Sequence, residues 1–407
     1  MRKTIVGVAL IGGALAASAH GQRPADGWPG LWGPSRTGAT AGPKTPSAFK
    51  ELWRKPAAGG YSEVISAGNR AYTLELKNGT DYAVALDADS GREVWRARIG
   101  ETYRGHDGSH DGPISTPAID GSDLFALGPR GHLVALNAAD GKERWRHDLV
   151  NEFGVVAPAY GLGASPLVEG SLVIVQTGGD TSGGLLAFDR RSGARAWHAA
   201  HAKGLAYSSA VAATIGGRRQ IIVASDRVFA VDPKDGSLLW SVAGAAGGEE
   251  VFNSPLVLPG DRVLVSLWGE AVLLKIASQG GTFSASEVWR GPRIRNTQGP
   301  AIYRDGYLYG FAGPIMVCVD AATGEIRWRH RTYESSVVGY GDHVLLLGHA
   351  SGELALVRPS PSGYSETIRT RVFTPGSTSV TGPAPAGARI FLRNVEEIVA
   401  VRVEGGA

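Results

Sequence analysis

The residues best suited to chemistry lie in one glycine-rich segment, ETYRGHDGSHDGP, which spans residues 101–113. Two histidines and two aspartates fall within six positions there: His106, Asp107, His110 and Asp111. Imidazole and carboxylate groups at this density could ligate a metal ion. The alternative is a tight turn whose aspartates accept hydrogen bonds from backbone N–H groups. The glycines of the segment oppose a helix that would align both histidines on one face, so we favour the turn.

Seven further polar or aromatic side chains lie in long segments between apolar runs, where they could line a ligand-binding face. They are Glu152, Tyr160, His201, Tyr207, Asn253, Trp268 and Arg295. Trp268 could stack on a ligand, or it could pack in a channel mouth or against a neighbouring unit. No spacing selects a Ser-His-Asp triad, a Cys-His pair, paired carboxylates or a phosphate-binding loop. We therefore assign no catalytic, cofactor-binding or metal-binding residue.

The elements that must position these side chains form an internal repeat. Each copy has an apolar run, an Asp or Asn, a turn that ends in Gly, and then Trp. The clear copies are ALDADSGREVW (85–95), ALNAADGKERW (135–145), AFDRRSGARAW (187–197), AVDPKDGSLLW (230–240) and CVDAATGEIRW (318–328). Degenerate copies are KIASQGGTFSASEVW (275–289) and, without Trp, LVRPSPSGYSETIR (356–369). The pattern predicts two strands joined by a tight turn, with the Asp or Asn bonded to the turn backbone and the Gly at positive φ.

The tryptophans recur at the spacing of one four-stranded propeller blade. They are Trp53, Trp95, Trp145, Trp197, Trp240, Trp289 and Trp328, so the gaps run from 39 residues (289 to 328) to 52 (145 to 197). Gaps of this size match the period of propeller repeats. We predict that each indole packs between its own blade and the next one.

Counting the repeats predicts an all-β, eight-bladed β-propeller of four-stranded antiparallel blades. An outer strand without Trp is expected near residues 367–372, followed by strands at 389–392 and 398–403. The segment 49–54 reads as an outer strand with no repeat before it. Pairing these chain ends would complete one blade and remove two sheet edges. Seven blades is the alternative if the degenerate region is misassigned.

On these residues the chain resembles the PQQ-like, quinoprotein alcohol dehydrogenase-like propeller repeat proteins, including the BamB-like ones. The segment from Trp28 to Arg36, WPGLWGPSR, also resembles the W-P-x-W-x-G-P-x-R opening of secreted bacterial proteins with such repeats. The resemblance implies the fold over residues 28–404. It does not imply one activity, because a propeller hosts many functions.

The N-terminus predicts export. Arg2 and Lys3 precede an apolar stretch from Thr4 to Ala16, and Ala17-Ser18-Ala19 fits a cleavage site. The domains expected are therefore a signal peptide at 1–19, an N-terminal segment at 20–47 and the propeller at 48–407. The expected location is the periplasm or the extracellular space. No segment is apolar for long enough to span a membrane comfortably.

Charge and cysteine content exclude other classes of protein. The formal charge of +3 falls to +1 without Arg2 and Lys3, and no basic stripe marks nucleic-acid binding. The one cysteine, Cys318, cannot form an intramolecular disulfide, and it lies in an apolar run that predicts a buried position.

Three functions are compatible with these observations. The favoured one is a non-catalytic, monomeric scaffold that binds a protein or a glycan on its loop face. The resemblance suggests a second, a PQQ-dependent dehydrogenase, which would need an aromatic floor, calcium or a lanthanide, and cationic residues. Its members often carry a disulfide between adjacent cysteines, and one cysteine cannot supply it, so no PQQ is expected. The third is a polysaccharide-active enzyme with His or Tyr of the long loops as acid and base.

Overall fold

The structure is a computed structural model that describes residues 27–105, 109–178, 184–202, 207–244, 251–267, 269–294, 299–377, 379 and 381–406. The described residues form eight β-sheets and a single short helix. None of their helices is long and apolar enough to cross a bilayer. Two strands near the N-terminus, β1 (Ala39–Thr40) and β2 (Thr45–Pro56), join sheets that are built mainly by later segments.

The first four blades follow one another along the chain, and in each the strands are antiparallel. Blade 1 contains β3 (Ile65–Ala67), β4 (Arg70–Lys77), β5 (Thr80–Asp87) and β6 (Glu93–Glu101). Blade 2 contains β7 (Ala118–Asp120), β8 (Asp123–Leu127), β9 (His132–Asn137) and β10 (Glu143–Asp148), and α1 (Leu149–Phe153) follows it. Blade 3 contains β11 (Leu167–Glu169), β12 (Leu172–Thr177), β13 (Gly184–Asp189) and β14 (Arg195–Ala199). Blade 4 contains β15 (Val211–Ile215), β16 (Arg218–Ala224), β17 (Arg227–Val231) and β18 (Leu238–Ala243).

The second half of the chain repeats this order and closes the ring. Blade 5 contains β19 (Leu256–Leu258), β20 (Arg262–Leu267), β21 (Glu270–Gln279) and β22 (Thr282–Gly291). Blade 6 contains β23 (Ile302–Arg304), β24 (Tyr307–Ala312), β25 (Ile315–Asp320) and β26 (Ile326–Arg331). Blade 7 contains β27 (Ser335–Tyr340), β28 (His343–Gly348), β29 (Glu353–Arg358) and β30 (Ser365–Arg371), with β1 added in parallel to β27. Blade 8 contains β31 (Ala384–Ala386), β32 (Arg389–Arg393) and β33 (Glu397–Gly406), with β2 as its outer strand.

Blade 8 confirms the predicted closure between the chain ends. Strand β2 is antiparallel to β33, with Phe49 opposite Val403 and Arg54 opposite Val399. The eight-blade count and the four-stranded antiparallel blades are confirmed with it. The first strands of several neighbouring blades contact one another (β3 and β31, β7 and β11, β11 and β15, β23 and β27), which places first strands around the central channel.

A buried guanidinium fastens blade 8 to blade 1. Arg393 of β32 is 1% exposed and donates to the carbonyls of Ser62 (3.1 Å), Leu74 (2.6 Å) and Gly59. Burial lowers the pKa of Arg393 to about 10, so the group is still charged at neutral pH. These bonds tie the last strands of the chain to the first blade.

The repeated tryptophans join each blade to the next. In six of the seven, the indole N–H donates to a backbone carbonyl of the following blade's turn. The acceptors are Ala88 (from Trp53), Ala138 (from Trp95), Arg190 (from Trp145), Pro233 (from Trp197), Ala321 (from Trp289) and Ser360 (from Trp328). Trp240 differs, because the turn of the next blade is degenerate. The indole N–H of Trp240 donates instead to Gln220 Oε1 of the same blade, 2.7 Å away. Trp145 and Trp328 are half-buried, and the other five are at most 9% exposed.

The turn that receives each indole explains the Asp/Asn and Gly of the repeat. In the second blade Asn137 Oδ1 accepts from the Ala139 N–H at 2.9 Å. Gly141 adopts φ 72°, and a Cβ there would lie 2.6 Å from the Trp95 ring. The glycine is therefore required both by the backbone and by the docked indole.

The segment 28–42, named here the plug segment, crosses the central channel. Trp28 forms a two-way backbone bridge with Ser66 of blade 1. Arg36 donates to Ala210 O of blade 4 (2.9 Å) and to Pro166 O of blade 3, while β1 pairs with blade 7. Trp32 lies at φ 60°, a conformation that is rare for a bulky residue. Contacts with blades on opposite sides of the ring hold it there.

Candidate functional site

A cavity of about 340 Å³ opens at the channel mouth. Its walls come from the segments that enter the inner strands of blades 1, 2, 3, 4, 5, 6 and 8, and its floor comes from the plug segment. The lining residues are Leu31, Trp32, Tyr61, Glu63, Tyr103, Ser109, Ile114, Thr116, Tyr160, Gly163, Ser165, Tyr207, Ser209, Phe252, Gly299 and Thr381. Such concave, mainly apolar sites with a few polar groups are typical of ligand pockets. We name this cavity the aromatic cup, after its aromatic residues Trp32, Tyr61, Tyr103, Tyr160, Tyr207 and Phe252.

A ring of backbone-to-hydroxyl hydrogen bonds, here the hydroxyl ring, fixes the inner strands around the cup. The N–H of Glu63 donates to Thr116 Oγ1 (3.0 Å), and the N–H of Thr116 donates to Ser165 Oγ (2.9 Å). The N–H of Ser165 donates to Ser209 Oγ (2.8 Å), and that of Ser209 to Ser254 Oγ (3.2 Å). Blades 1 to 4 thus each donate to a side chain of the next blade. The hydroxyls are engaged in holding blades together.

Glu63 occupies the blade 1 position of this ring. Its Oε1 accepts from the N–H of Gly382 in blade 8, 3.0 Å away, and so links the last blade to the first. Its Oε2 is buried and accepts no hydrogen bond from the described residues. Burial raises the pKa of Glu63 to about 7, although the N–H groups of Gly382, the Trp28 indole and the Trp32 backbone, and the charge of Arg36, lower it. The cup therefore contains a carboxylate that is poorly solvated and only half satisfied.

Four aromatic side chains form a continuous arc along one wall. Tyr103 lies 6.4 Å from Tyr160, and Tyr160 lies 5.8 Å from Tyr207, in both cases between ring centroids. Tyr207 stacks on Phe252 at 5.1 Å with an interplanar angle of 9°. Phe252 remains 43% exposed, so its ring presents apolar surface to solvent at the mouth. The arc offers π faces to whatever enters.

The floor of the cup is the indole of Trp32, which is 6% exposed. Two glycines make room for it: a Cβ on Gly299 would lie 2.3 Å from the indole, and one on Gly382 would lie 2.9 Å from it. Gly299 is at φ 121° and donates its N–H to Asn253 Oδ1 at 2.8 Å. The strained plug segment and these glycines together set the depth of the cup.

The structure brings some of the predicted face residues to the cup. Tyr160 and Tyr207 line it, and Asn253 lies behind it as the acceptor for Gly299. The backbone N–H of His110 donates to the Tyr61 hydroxyl at 2.6 Å, and the two rings lie 6.2 Å apart. His110 is therefore a supporting residue at the rim.

Asp111 has local partners. Its Oδ1 accepts from the Gly105 N–H (2.8 Å), and its Oδ2 pairs with Arg104 (3.0 Å). These contacts, the backbone one first, hold the pKa of Asp111 below its usual range. This is the arrangement of a capped turn. Among the described residues no group of three or more His, Cys, Asp or Glu could hold a metal ion.

Two predicted face residues lie away from the cup. Glu152 belongs to α1, where it accepts from the Asp148 N–H (2.8 Å) and pairs with His147 Nδ1 (2.6 Å). His201 Nε2 bonds Gly236 O at 3.0 Å, beside the turn of blade 4. Both side chains are bonded to local partners and do not line the cup. Four other predicted residues, His106, Asp107, Trp268 and Arg295, lie outside the described residues.

Sequence reasoning missed Trp32, Tyr61, Glu63, Tyr103 and Phe252. One signal could have found two of these, Tyr61 and Phe252, together with the predicted Tyr207. Each of these three lies two residues before the residue of its blade that belongs to the hydroxyl ring. Ile114 and Gly163, which also line the cup, have the same spacing. Aligning the repeats on their inner strands, and not on the tryptophan turns, would have shown this column.

Comparisons with known proteins agree with the fold and the repeat. A family model described as outer membrane protein assembly factor BamB matches residues 79–330, more than half of the chain. The BamB of Burkholderia pseudomallei is 25% identical over 334 residues, which cover 79% of each chain.

Solved structures show the same architecture. The crystal structure of BamB from Moraxella catarrhalis superposes with a TM-score of 0.64 at 16% identity, covering 89% of this chain and 99% of that one. A europium-containing methanol dehydrogenase superposes with a TM-score of 0.53 at 11% identity, covering 92% and 98%. At these identities the two structures show a shared fold alone. On the family match over its central repeats, the chain belongs to the family of the outer membrane protein assembly factor BamB, the BamB-like PQQ-repeat propellers.

Proposed function

We propose that this protein is a non-catalytic scaffold outside the cytoplasm and that the aromatic cup is where it binds a protein or glycan partner. The observation that carries the proposal is the cup itself, a preformed cavity of about 340 Å³ with an arc of aromatic faces at its mouth. Exposed aromatic surface at a rigid concave site is typical of a binding surface. Rigidity comes from the hydroxyl ring and from the tryptophans docked between the outer strands of neighbouring blades.

The polar groups of the cup support binding in preference to catalysis. The hydroxyls of Thr116, Ser165 and Ser209 accept hydrogen bonds from neighbouring blades, so their first role is structural. None of the described lining residues is a histidine, lysine or cysteine. Glu63 is the one carboxylate among them, whereas hydrolysis of a glycoside ordinarily uses two.

The described lining does not fit PQQ. That cofactor is a polyanion, and its site needs convergent cationic donors together with oxygen ligands for a divalent or trivalent ion. The described lining offers no cationic side chain, and the carboxylate of Glu63 would repel an anion. The nearest described cation, Arg36, is directed at the carbonyls of Pro166 and Ala210. We derive no redox step through this site.

Site-specific photo-crosslinking tests the proposal. A photoreactive phenylalanine analogue at Phe252, in the full chain expressed in its native host, is expected to give a defined adduct. The matched control carries the analogue at Tyr333, which is 55% exposed and does not line the cup. Protease or glycosidase treatment of the adduct then identifies its class. Equal labelling at both positions, or dye-linked oxidation of an alcohol after loading with PQQ and calcium or a lanthanide, would contradict the proposal.

The location is tested separately. If the protein is exported, mass spectrometry of the native protein should find an N-terminus near residue 20, after removal of the segment that ends in Ala17-Ser18-Ala19. An intact Met1 on protein from the native host would overturn the assignment.

A further inference from the structure

We propose that the aromatic cup binds an organic cation, a substituted ammonium group, with the carboxylate of Glu63 as its counter-ion. This inference rests on the proposed binding function of the same cup and names the chemistry that the cup recognises.

Glu63 carries more functional groups than its structural position requires. In blades 2, 3, 4 and 5 the ring position is a hydroxyl residue that accepts a single N–H: Thr116, Ser165, Ser209 and Ser254. In blade 1, Oε1 of Glu63 does the same for Gly382. A hydroxyl or an amide would be enough for that bond. The glutamate adds a second oxygen and a negative charge.

The second oxygen is buried, and it belongs to a residue that lines the cup. Glu63 is 2% exposed and lines the cup, and its Oε2 accepts no hydrogen bond from the described residues. The indole N–H of Trp28 and the backbone N–H of Trp32 are close enough to this carboxyl to lower its pKa, but neither makes a hydrogen bond of normal geometry to Oε2. A buried carboxylate oxygen without a partner is costly, and a cation in the cup would relieve that cost.

The walls of the cup are aromatic, which suits a cation. Aromatic faces attract cations through their quadrupoles, and stacked or tilted rings around one cavity add such attractions. The Tyr103–Tyr160–Tyr207–Phe252 arc and the Trp32 floor supply these faces on the same cavity as Glu63. An ammonium group with alkyl substituents matches both features, because its surface is apolar and its charge is diffuse.

Competing ligand classes fit less well. A hard metal ion takes six or more oxygen ligands, and the described lining has a single carboxylate with hydroxyls already engaged. An anion would meet the charge of Glu63. A neutral apolar group would leave Oε2 unpaired.

The test compares choline with its uncharged isostere, 3,3-dimethyl-1-butanol, in titrations of the full chain followed by calorimetry at constant ionic strength. Choline is expected to bind at least about tenfold more tightly, as a charge-assisted contact implies. In Glu63→Gln, which keeps the acceptor for Gly382, this preference should vanish. Asp81→Asn is the matched control: Asp81 is also buried, with an unpartnered Oδ2, but it does not line the cup.

Two further measurements identify the source of the cation and control for misfolding of the Glu63 variant. Nα-acetyl-lysine methylamide replaces choline in one titration; tighter binding of the lysine derivative indicates a protein side chain, and tighter binding of choline indicates a free small molecule. Phe252→Ala, at a 43% exposed position, should weaken choline binding without altering thermal unfolding. Absence of saturable binding for both cations, or equal binding of choline and its isostere, would refute the inference. A crosslinked adduct at Phe252 alongside that result would leave the proposed scaffold function standing.

Discussion

Replacing Glu63 by glutamine should change how the stability of this protein depends on pH. Burial raises the pKa of Glu63 to about 7 in the folded chain, from the ordinary value of 4.5. Between these two values the folded state holds a proton that the unfolded state has released. The free energy of unfolding contributed by Glu63 therefore falls as the pH rises through this window, and it is constant above the folded pKa.

The magnitude follows from the two pKa values. Their difference of about 2.5 corresponds to roughly 3 kcal/mol, at about 1.4 kcal/mol for each pKa unit. Glutamine has nearly the same shape, keeps an oxygen for the Gly382 N–H and cannot ionise. The variant should therefore gain roughly 3 kcal/mol relative to the parent between about pH 4 and about pH 8.

Denaturant unfolding of parent and variant at a series of pH values measures this difference. Taking the difference cancels other buried groups, such as Asp81, whose pKa burial raises to about 6 and whose window lies lower. A variant-minus-parent difference that does not change with pH would show that Glu63 ionises normally, and the description of a poorly solvated carboxylate in the cup would then be wrong.

Two further predictions concern the joints between blades. Trp95→Ala removes a buried indole and its bond to Ala138 O, and should lower the free energy of unfolding by about 3–5 kcal/mol; an unfolding temperature equal to that of the parent would contradict the docking role. Arg393→Met leaves the carbonyls of Ser62 and Leu74 without their buried donor, and should cost about 2–4 kcal/mol. Hydrogen exchange should then speed up first in β33 and β2, and uniform exchange across all blades would count against a local closure.

The repeat could be predicted from sequence because each unit is locally encoded. An apolar run, an Asx turn, a glycine at positive φ and a Trp all lie within about a dozen residues, and each follows from short-range sterics and hydrogen bonding. Blade 5 shows the limit of this reasoning. Its turn departs from the pattern, and Trp240 of the preceding blade consequently finds a partner within its own blade at Gln220.

Polarity alone did not separate cup residues from others. Glu152 and Tyr160 occur in the same inter-blade segment, yet the first is engaged by Asp148 and His147 and the second reaches the cavity. Local capping chemistry captures a side chain wherever the chain offers an adjacent N–H group. Whether a side chain of this segment reaches the cavity depends on the path of the backbone, and that path cannot be predicted from segments of irregular length.

The order of residues along the chain is enough to predict the architecture: eight blades, their turns, and the closure of segment 49–54 against 398–403. These features repeat or complement one another along the chain, so a pattern is enough to find them. The aromatic cup exists only in the folded ring, because Tyr61, Phe252 and the plug residue Trp32 come from distant segments that meet when the ring closes. Glu63 stands out in the sequence as a carboxylate where its counterparts are hydroxyl residues, but its burial depends on the fold. Desolvation by the closed ring and the plug segment raises its pKa, and its Oε2 accepts no hydrogen bond of normal geometry from the described residues.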